Sequence, residues 1–208
     1  MNSKLPSYMT KNDLEKFFKM IDRHAIGIRQ NSYDPIKYKA IFYLSYRYGL
    51  RRGETVALNI DDILEGQTIK IRRLKGSISK VYPLSSDLVP VIKAWTARRL
   101  DSYRPNGETA LFITNPPSCR RMTDAAIAKM FRILIEEAGL KSKGYHFHSL
   151  RHSIAVHALE AGLHIEYVQD LLGHKSIQST LIYAKIMDTT RNKYMSDLAI
   201  SSSIVRLP

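Results

Sequence analysis

The sequence is poor in cysteine, in acidic residues and in long apolar runs. Its 208 residues include a single cysteine, Cys119, so no disulfide can form within the chain. That fits a reducing, cytoplasmic compartment. Residues 1–10 contain no apolar signal core, and no run of about 18 apolar residues occurs anywhere, so we expect neither a secretion signal nor a membrane span.

The shortage of acidic residues leaves the chain strongly basic. Nineteen Asp and Glu residues stand against 32 Lys and Arg residues, which gives a net charge of +13. A surplus of this size is typical of proteins with a polyanionic partner, and we expect double-stranded DNA. A basic surface that serves only solubility is the alternative. The hydrophobic content of 44% is ordinary for a globular protein and argues against disorder.

Helical periodicity dominates the chain, and one short region alternates polar and apolar residues as a β-strand does. The alternating region, Thr68–Arg72, together with Lys80–Pro83 predicts a hairpin, and Leu111–Ile113 predicts a third short strand. Helices are predicted over residues 10–21, 35–49, 53–58, 86–100, 124–138, 148–161, 165–172, 177–187 and 191–199. We therefore expect one domain over residues 1–208, of the α+β class, mostly helical with a small antiparallel sheet.

The residues most suited to chemistry are concentrated near the C-terminus. The segment His148–His152 is followed by Leu171–His174 and then by Tyr183. Helical spacing places His148 and Arg151 on the same face, and a guanidinium offers a planar fork of donors that fits two phosphate oxygens. Imidazoles and a guanidinium can bind a phosphate, and a phenol can attack one. The set predicts phosphodiester chemistry if these residues converge.

Each of these residues also has an ordinary structural interpretation. The pair Gly173-His174 can simply end a helix. Tyr183 is one of twelve tyrosines and can be a core residue. Upstream, Glu54 can steer Arg51 through an ion pair or merely cap a helix, and Lys75 can be a solvated turn residue.

A zinc site is a further alternative, because His148 and His152 have the i, i+4 spacing of a zinc-binding helix. The residue after His148 is Ser149, where a metalloprotease helix has a glutamate. Arg151 would also place a fixed positive charge beside the metal, and the sequence offers no cysteine pair or carboxylate cluster to complete a site. We therefore expect no metal.

Taken together and in order, these segments resemble the tyrosine recombinases of the phage-integrase type, which include the Xer recombinases. The resemblance extends from about Leu5 to Met195. Its motifs are Gly-Leu-Arg-x-x-Glu at residues 49–54, a β-turn lysine at Lys75 eight residues before Pro83, His-x-x-Arg-His at 148–152, Leu-Leu-Gly-His at 171–174 and Ile-Tyr at 182–183.

The resemblance implies a tyrosine-recombinase catalytic domain that cleaves and rejoins DNA through a 3′-phosphotyrosine, without metal, ATP or another cofactor. Tyr183 would be the nucleophile, Lys75 would protonate the leaving 5′-oxygen, and His148 is the candidate to accept the phenol proton. Four residues would clamp the scissile phosphate: Arg51, His148, Arg151 and His174. A DNA-binding regulator that no longer recombines and a topoisomerase-like or resolvase-like strand transferase are the alternatives.

The resemblance also implies an assembly. The enzyme would act as a tetramer on two duplexes, remain a monomer or weak oligomer when free, and work at the nucleoid. Longer integrases carry an N-terminal core-binding domain that we expect to be absent here. Residues 189–208 are expected to dock on a neighbouring protomer or on their own core. Ile78 stands where many relatives have a second hairpin lysine, which Lys80 can replace.

Overall fold

A computed structural model describes residues 6–24, 33–65, 67–74, 78–103 and 107–187. The α-helices in these ranges are α1 (Lys11–His24), α2 (Pro35–Arg47), α3 (Arg52–Ala57), α4 (Leu88–Arg98), α5 (Asp124–Glu137), α6 (Phe147–Glu160), α7 (Ile165–Leu172) and α8 (178–187). The strands are β1 (Ile63–Leu64), β2 (Thr68–Ile71) and β3 (Lys80–Pro83). The predicted α+β class, mostly helical with a small antiparallel sheet, is confirmed.

The sheet has the order β1-β2-β3, and both pairings are antiparallel. Ile69 in the middle strand is opposite Ile63 on one side and Tyr82 on the other, so the predicted hairpin of β2 and β3 is confirmed. The prediction of a third strand at Leu111–Ile113 is wrong, because the third strand is β1.

The segment Leu111–Ile113 is instead a fully buried connection in the core. Its neighbour Ala110 forms an isolated bridge with Asn59, and Ile113 forms another with Arg121, so the segment is not part of a continuous strand. A short apolar run of this kind has the composition of a buried strand, and periodicity cannot distinguish a strand from a buried connection. The segment was predicted as a strand because all of its side chains are apolar, as those of a buried strand are.

Helix α2 lies at the centre of the main core and packs against α1, α4 and α6. Four phenylalanines from α1, α2, α5 and α6 meet with ring centroids between 5.0 and 6.3 Å apart: Phe17, Phe42, Phe131 and Phe147. Tilted and edge-to-face contacts of this kind add to the free energy of burial. The four helices are therefore held in one arrangement around α2.

Both ends of α2 follow the signals in the sequence. The Asp34 carboxylate accepts hydrogen bonds from the amides of Ile36 and Lys37, and Pro35 occupies the first helical position. The chain leaves the helix at Gly49, whose φ of +55° is in the left-handed region that favours glycine. This tight corner between α2 and α3 positions residue 51 directly before the first turn of α3.

A smaller hydrophobic cluster joins α6, α7 and α8. It contains Val156 of α6, Val168 and Leu172 of α7, and Tyr183 and Ile186 of α8. The structure has helices where they were predicted over 165–172 and 177–187. The predicted helix over 191–199 and the tail over 189–208 lie outside the described residues. No helix within the described ranges has the length and apolarity that a membrane crossing needs.

Candidate active site

Arg51 sits at the corner between α2 and α3 and is held by Glu54. Its backbone amide donates to Oε2 of Glu54 at 2.9 Å, and its Nη1 donates to Oε1 at 2.7 Å. Burial alone would raise the pKa of Glu54, but hydrogen bonds from Arg51 and the charge of Arg73 outweigh it and hold that pKa below its ordinary value. Glu54 is therefore an ionised, buried carboxylate that orients the partly exposed Arg51.

Arg151, on the second turn of α6, is only 3% exposed. Its Nη1 donates to the carbonyl of Gly49 at 2.5 Å, and its Nη2 donates to the carbonyl of Leu172 at 3.0 Å and to Nε2 of His174 at 2.8 Å. Burial and the charge of Arg51 lower the pKa of Arg151 to about 10, which leaves it protonated at neutral pH. Arg151 thus joins the end of α2 to the end of α7.

His174 follows Gly173, which ends α7 with a φ of +67°. Because a guanidinium only donates, Nε2 of His174 accepts from Arg151, so Nδ1 carries the proton and donates to Oγ1 of the buried Thr180 at 2.9 Å. Burial and the charge of Arg151 lower the pKa of His174 to about 4. The imidazole is therefore neutral, with a defined tautomer, and it holds Arg151.

The phenol of Tyr183 lies against His152. The ring is 3% exposed, and its hydroxyl is 2.9 Å from Nδ1 of His152. Burial raises the pKa of Tyr183 although Arg151 acts against it, and burial together with the charge of His146 lowers the pKa of His152 to about 4. Both groups are neutral at pH 7, and their contact offers a path for the phenol proton.

His148 occupies a different position from the one expected for the proton acceptor. It lies exposed on the first turn of α6, with its ring centroid 6.1 Å from that of His146, whereas the hydrogen-bond partner of Tyr183 is His152. Residues 148 and 152 share a face of α6 but are one turn apart along its axis, and the second is the one whose ring contacts Tyr183 of α8. Partial burial and the charge of His146 lower the pKa of His148.

Lys75 lies outside the described residues, but the chain is described on both sides of it. The amide of Leu74 donates to Oε1 of Glu54 at 3.3 Å, and the amide of Ile78 donates to the carbonyl of Gly173 at 3.3 Å. The two neighbouring ends of the hairpin are therefore attached to the residues around Arg51 and His174.

One residue of this region was not predicted from the sequence. Arg73 is buried, and its guanidinium donates to Oε2 of Glu54 at 2.9 Å and to the carbonyl of Tyr48 at 2.8 Å. The alternation that buries Ile69 and Ile71 also directs residue 73 inward, so the strand pattern contained a signal for it. An arginine that continues the apolar face of a strand is buried, so its guanidinium needs hydrogen-bond acceptors in the interior.

No group of three or more His, Cys, Asp and Glu residues is arranged to hold a metal ion in the part of the chain that the structure describes. Arg51, His148, Arg151, His152, His174 and Tyr183 are brought together by α3, α6, α7 and α8. Burial raises the pKa of Tyr183, and the charges of Arg151 and Arg51 act to lower it. The arrangement can neutralise an anionic group beside a buried phenol.

Comparison with known proteins agrees with this geometry. A tyrosine recombinase XerD from Oceanobacillus iheyensis is 30% identical over 185 residues, which is 88% of this chain and 59% of that protein. The type 1 fimbriae regulatory protein FimE from Escherichia coli K12 is 29% identical over 85% of this chain and 84% of its own length. The chain thus spans under two thirds of the Xer relatives that it matches.

Solved structures show the same fold. A XerA recombinase superposes with a TM-score of 0.75 over 94% of this chain and 66% of its own, at 24% identity. A XerH site-specific recombinase in a post-cleavage complex with difH substrate gives 0.76 over 93% and 53%, at 26% identity. Residues 7–190 match the family model described as "Phage integrase family". With that match over most of its length, the chain belongs to the phage integrase family of tyrosine recombinases.

Proposed function

We propose that this chain is the catalytic domain of a site-specific DNA recombinase that cleaves and rejoins strands through a 3′-phosphotyrosine bond. The observation that carries the proposal is the position of Tyr183. The charges of Arg151 and Arg51 act on its buried phenol, and its hydroxyl contacts the neutral imidazole of His152 at 2.9 Å. A core tyrosine has no need of that environment.

The proposed step is a transesterification in which all atoms are accounted for. The phenolic oxygen of Tyr183 bonds to phosphorus as the bond from phosphorus to the 5′-oxygen breaks. The phenol proton passes to Nδ1 of His152, and the ammonium of Lys75 protonates the leaving oxygen. The products are a 3′-phosphotyrosine and a free 5′-hydroxyl. Attack by the 5′-hydroxyl of another strand reverses the step and rejoins the DNA.

The positive side chains would stabilise the charge that builds up on the non-bridging oxygens during attack. Arg51 and Arg151 are both held by buried acceptors before DNA arrives, so little reorganisation is required. Loss of one preorganised donor typically lowers a rate by about 10²–10³-fold. His148, exposed at the start of α6, would donate to the same phosphate, and His174 would contribute by holding Arg151.

The partner in this proposal is double-stranded DNA, in a tetrameric synapse of two duplexes formed by a chain that is a monomer or weak oligomer when free. The net charge of +13 supports a DNA partner. Several structural relatives were solved with DNA, among them XerH bound to difH and a lambda integrase dimer bound to a core site. Work on DNA of this kind would place the protein at the nucleoid in the cytoplasm.

The test is covalent capture on nicked DNA. End-labelled duplexes with randomised sequence around a nick would be incubated with the protein, and species that survive denaturing electrophoresis would be recovered and sequenced. We expect a covalent adduct with one preferred sequence. The adduct should disappear in Tyr183→Phe and persist in Tyr167→Phe, which changes a tyrosine on α7 that is 65% exposed. Absence of any adduct with the unchanged protein would overturn the proposal.

The name of the FimE relative, a regulatory protein, favours keeping one alternative, a DNA-binding regulator without strand transfer. Such a protein would bind duplex DNA equally well with and without Tyr183→Phe, and it would form no adduct. A topoisomerase-like enzyme would form the adduct but would rejoin only the original strand. Two duplexes labelled at different lengths distinguish it, because only a recombinase yields strands of recombinant length.

A further inference from the structure

We propose that Arg73 is a positioning residue of this site. Its buried guanidinium connects the strand that leads to Lys75 with the carboxylate that holds Arg51 and with the helix end that carries His174. The inference rests on the proposed function, because it assigns to Arg73 the placement of the group that protonates the leaving oxygen.

The contacts of Arg73 reach three separate parts of the chain. Nη1 donates to Oε2 of Glu54 at 2.9 Å, on α3. Nη2 donates to the carbonyl of Tyr48 at 2.8 Å, at the end of α2, and also to the carbonyl of Leu171 near the end of α7. The side chains of Arg73 and Glu54 are both 0% exposed. One guanidinium therefore links β2 to the corner before Arg51 and to the helix before His174.

A buried ion pair is a costly way to fill this position. Its desolvation often offsets the attraction, and apolar replacements of similar volume are frequently as stable or more stable. Nε of Arg73 also has no hydrogen-bond partner among the residues that the structure describes, which adds to the cost. The arrangement is therefore better explained by the direction of its hydrogen bonds than by stability alone.

The packing around Arg73 is correspondingly close. A Cβ atom at Gly173 would lie 3.0 Å from Cγ and 3.1 Å from Nε of Arg73, and 3.1 Å from the carbonyl oxygen of Ile78. The glycine that ends α7 thus allows the arginine and the returning strand to approach the backbone directly before His174. A movement of Arg73 would therefore displace the backbone at the end of α7.

Both described ends of the hairpin are anchored to this network. On the outgoing side, the amide of Arg73 donates to Oγ of Ser79 at 3.0 Å and the amide of Leu74 donates to Oε1 of Glu54 at 3.3 Å. On the returning side, the amide of Ile78 donates to the carbonyl of Gly173. Leu74 and Ile78, the described residues on either side of the gap that contains Lys75, are therefore both held by this network.

The first arm of the test uses the duplex recovered by covalent capture, with either an ordinary scissile phosphate or one whose 5′-bridging oxygen is replaced by sulfur. A thiolate leaves without needing a proton, so a defect in leaving-group protonation disappears on the sulfur substrate. We expect Arg73→Met to slow adduct formation on the oxygen substrate by about 10²-fold, within the usual contribution of a general acid. The sulfur substrate should restore most of that loss, as it should for Lys75→Ala.

The controls separate position from charge and from folding. Lys70→Met removes a charge from the exposed side of the same strand and should leave both substrates close to the unchanged protein. Arg73→Lys keeps the charge but cannot reach all the same acceptors, so it should show a smaller defect with the same recovery on sulfur. An oxygen-substrate rate unchanged in Arg73→Met, or a defect that sulfur does not restore, would overturn the inference.

A second arm does not depend on catalysis. Amide hydrogen exchange measured by NMR should become faster at Leu74 and Ile78 in Arg73→Met and in Arg73→Lys, while amides in the centre of α5 keep their protection. Unchanged protection at Leu74 and Ile78 would show that Arg73 does not anchor the hairpin. If the unchanged protein forms no adduct with any duplex, the proposed function fails, and this arm still decides whether the anchor exists.

Discussion

At the scale of single residues, hydrogen-bond partners define the protonation states on which the chemistry depends. The sequence identifies His152 and His174 as members of motifs, but their contacts assign them different tasks. His174 accepts from Arg151 and donates to Thr180, so it is held as a neutral orienting group. His152 contacts the hydroxyl of Tyr183, so in the proposed step it is the imidazole that receives the phenol proton.

These shifted histidines predict a loss of stability in mild acid. The pKa values of His152 and His174 are lowered by burial from 6.5 to about 4, so the unfolded chain binds protons in this interval that the folded chain does not. The free energy of unfolding should therefore fall as the pH decreases from about 6.5 towards 4. Urea unfolding between pH 7 and pH 5, above the range of most carboxylates, measures this dependence.

Substitution shows whether the buried histidines cause this dependence of the unfolding free energy on pH. His152→Gln should flatten the pH dependence, because one group that resists protonation is removed. His164→Gln, which removes an exposed imidazole at the start of α7, should leave the slope in place. A stability that is the same at pH 7 and pH 5 in the unchanged protein would contradict the assignment.

At the scale of elements, two helix ends meet at the site and supply the acceptors for two buried arginines. The carbonyls of Gly49 and Leu172 bind Arg151, while the adjoining carbonyls at the ends of α2 and α7 bind Arg73. The C-terminal end of a helix carries partial negative charge, which stabilises nearby cations. Together with Glu54, these helix ends allow two guanidiniums to lie close together away from water.

The close approach of the two helix ends predicts a large cost for a side chain at Gly49. A Cβ atom there would lie 2.5 Å from Cδ2 of Leu172, and the φ of +55° is unfavourable for alanine. Gly139 has a φ of +72°, but a Cβ atom added there would meet nothing within 4 Å. Gly139→Ala therefore measures only the cost of holding an alanine at a positive φ. We expect Gly139→Ala to lower the free energy of unfolding by about 1–2 kcal/mol.

We expect Gly49→Ala to lower the free energy of unfolding by about 1–3 kcal/mol more than Gly139→Ala, the usual cost of overpacking. Urea unfolding of the two variants side by side provides the comparison. Equal losses would mean that α2 and α7 can separate without cost, and the shared acceptor set for Arg151 would then not be a rigid feature of the fold.

At the scale of the whole molecule, the positive charge is larger than the site itself requires. Within the site, the single carboxylate of Glu54 offsets one of the positive charges of Arg51 and Arg73. The net charge of +13 therefore resides largely elsewhere on the chain. A field of this sign draws a polyanion towards the protein before specific contacts form.

This charge predicts a steep salt dependence of DNA binding. The logarithm of the association constant should fall linearly with the logarithm of salt concentration, with a slope of about −0.9 for each phosphate that is neutralised. Fluorescence anisotropy with a labelled duplex of arbitrary sequence, measured over a series of potassium chloride concentrations, gives the slope. A slope near zero would contradict an electrostatic DNA-binding surface.

Much of the fold and of the candidate site follows from the sequence because the relevant signals are local. Helix periodicity, the Asp34-Pro35 start and the glycines at 49 and 173 each act within a few residues, and the structure agrees with them. The third strand could not be predicted in this way. The apolar run at Leu111–Ile113 resembles a strand, but its partners are distant in sequence, and the two-residue β1 is too short to show a pattern.

Composition and local patterns were enough to predict the class of the fold, the excess of positive charge and the ordered motifs that place the chain in its family. Folding was needed to show that His152 and not His148 contacts Tyr183, and that Arg73 pairs with Glu54. The difference comes from the range of the interactions. Periodicity and capping act between near neighbours, whereas the direction of a buried hydrogen bond depends on which distant backbone atoms are packed against it.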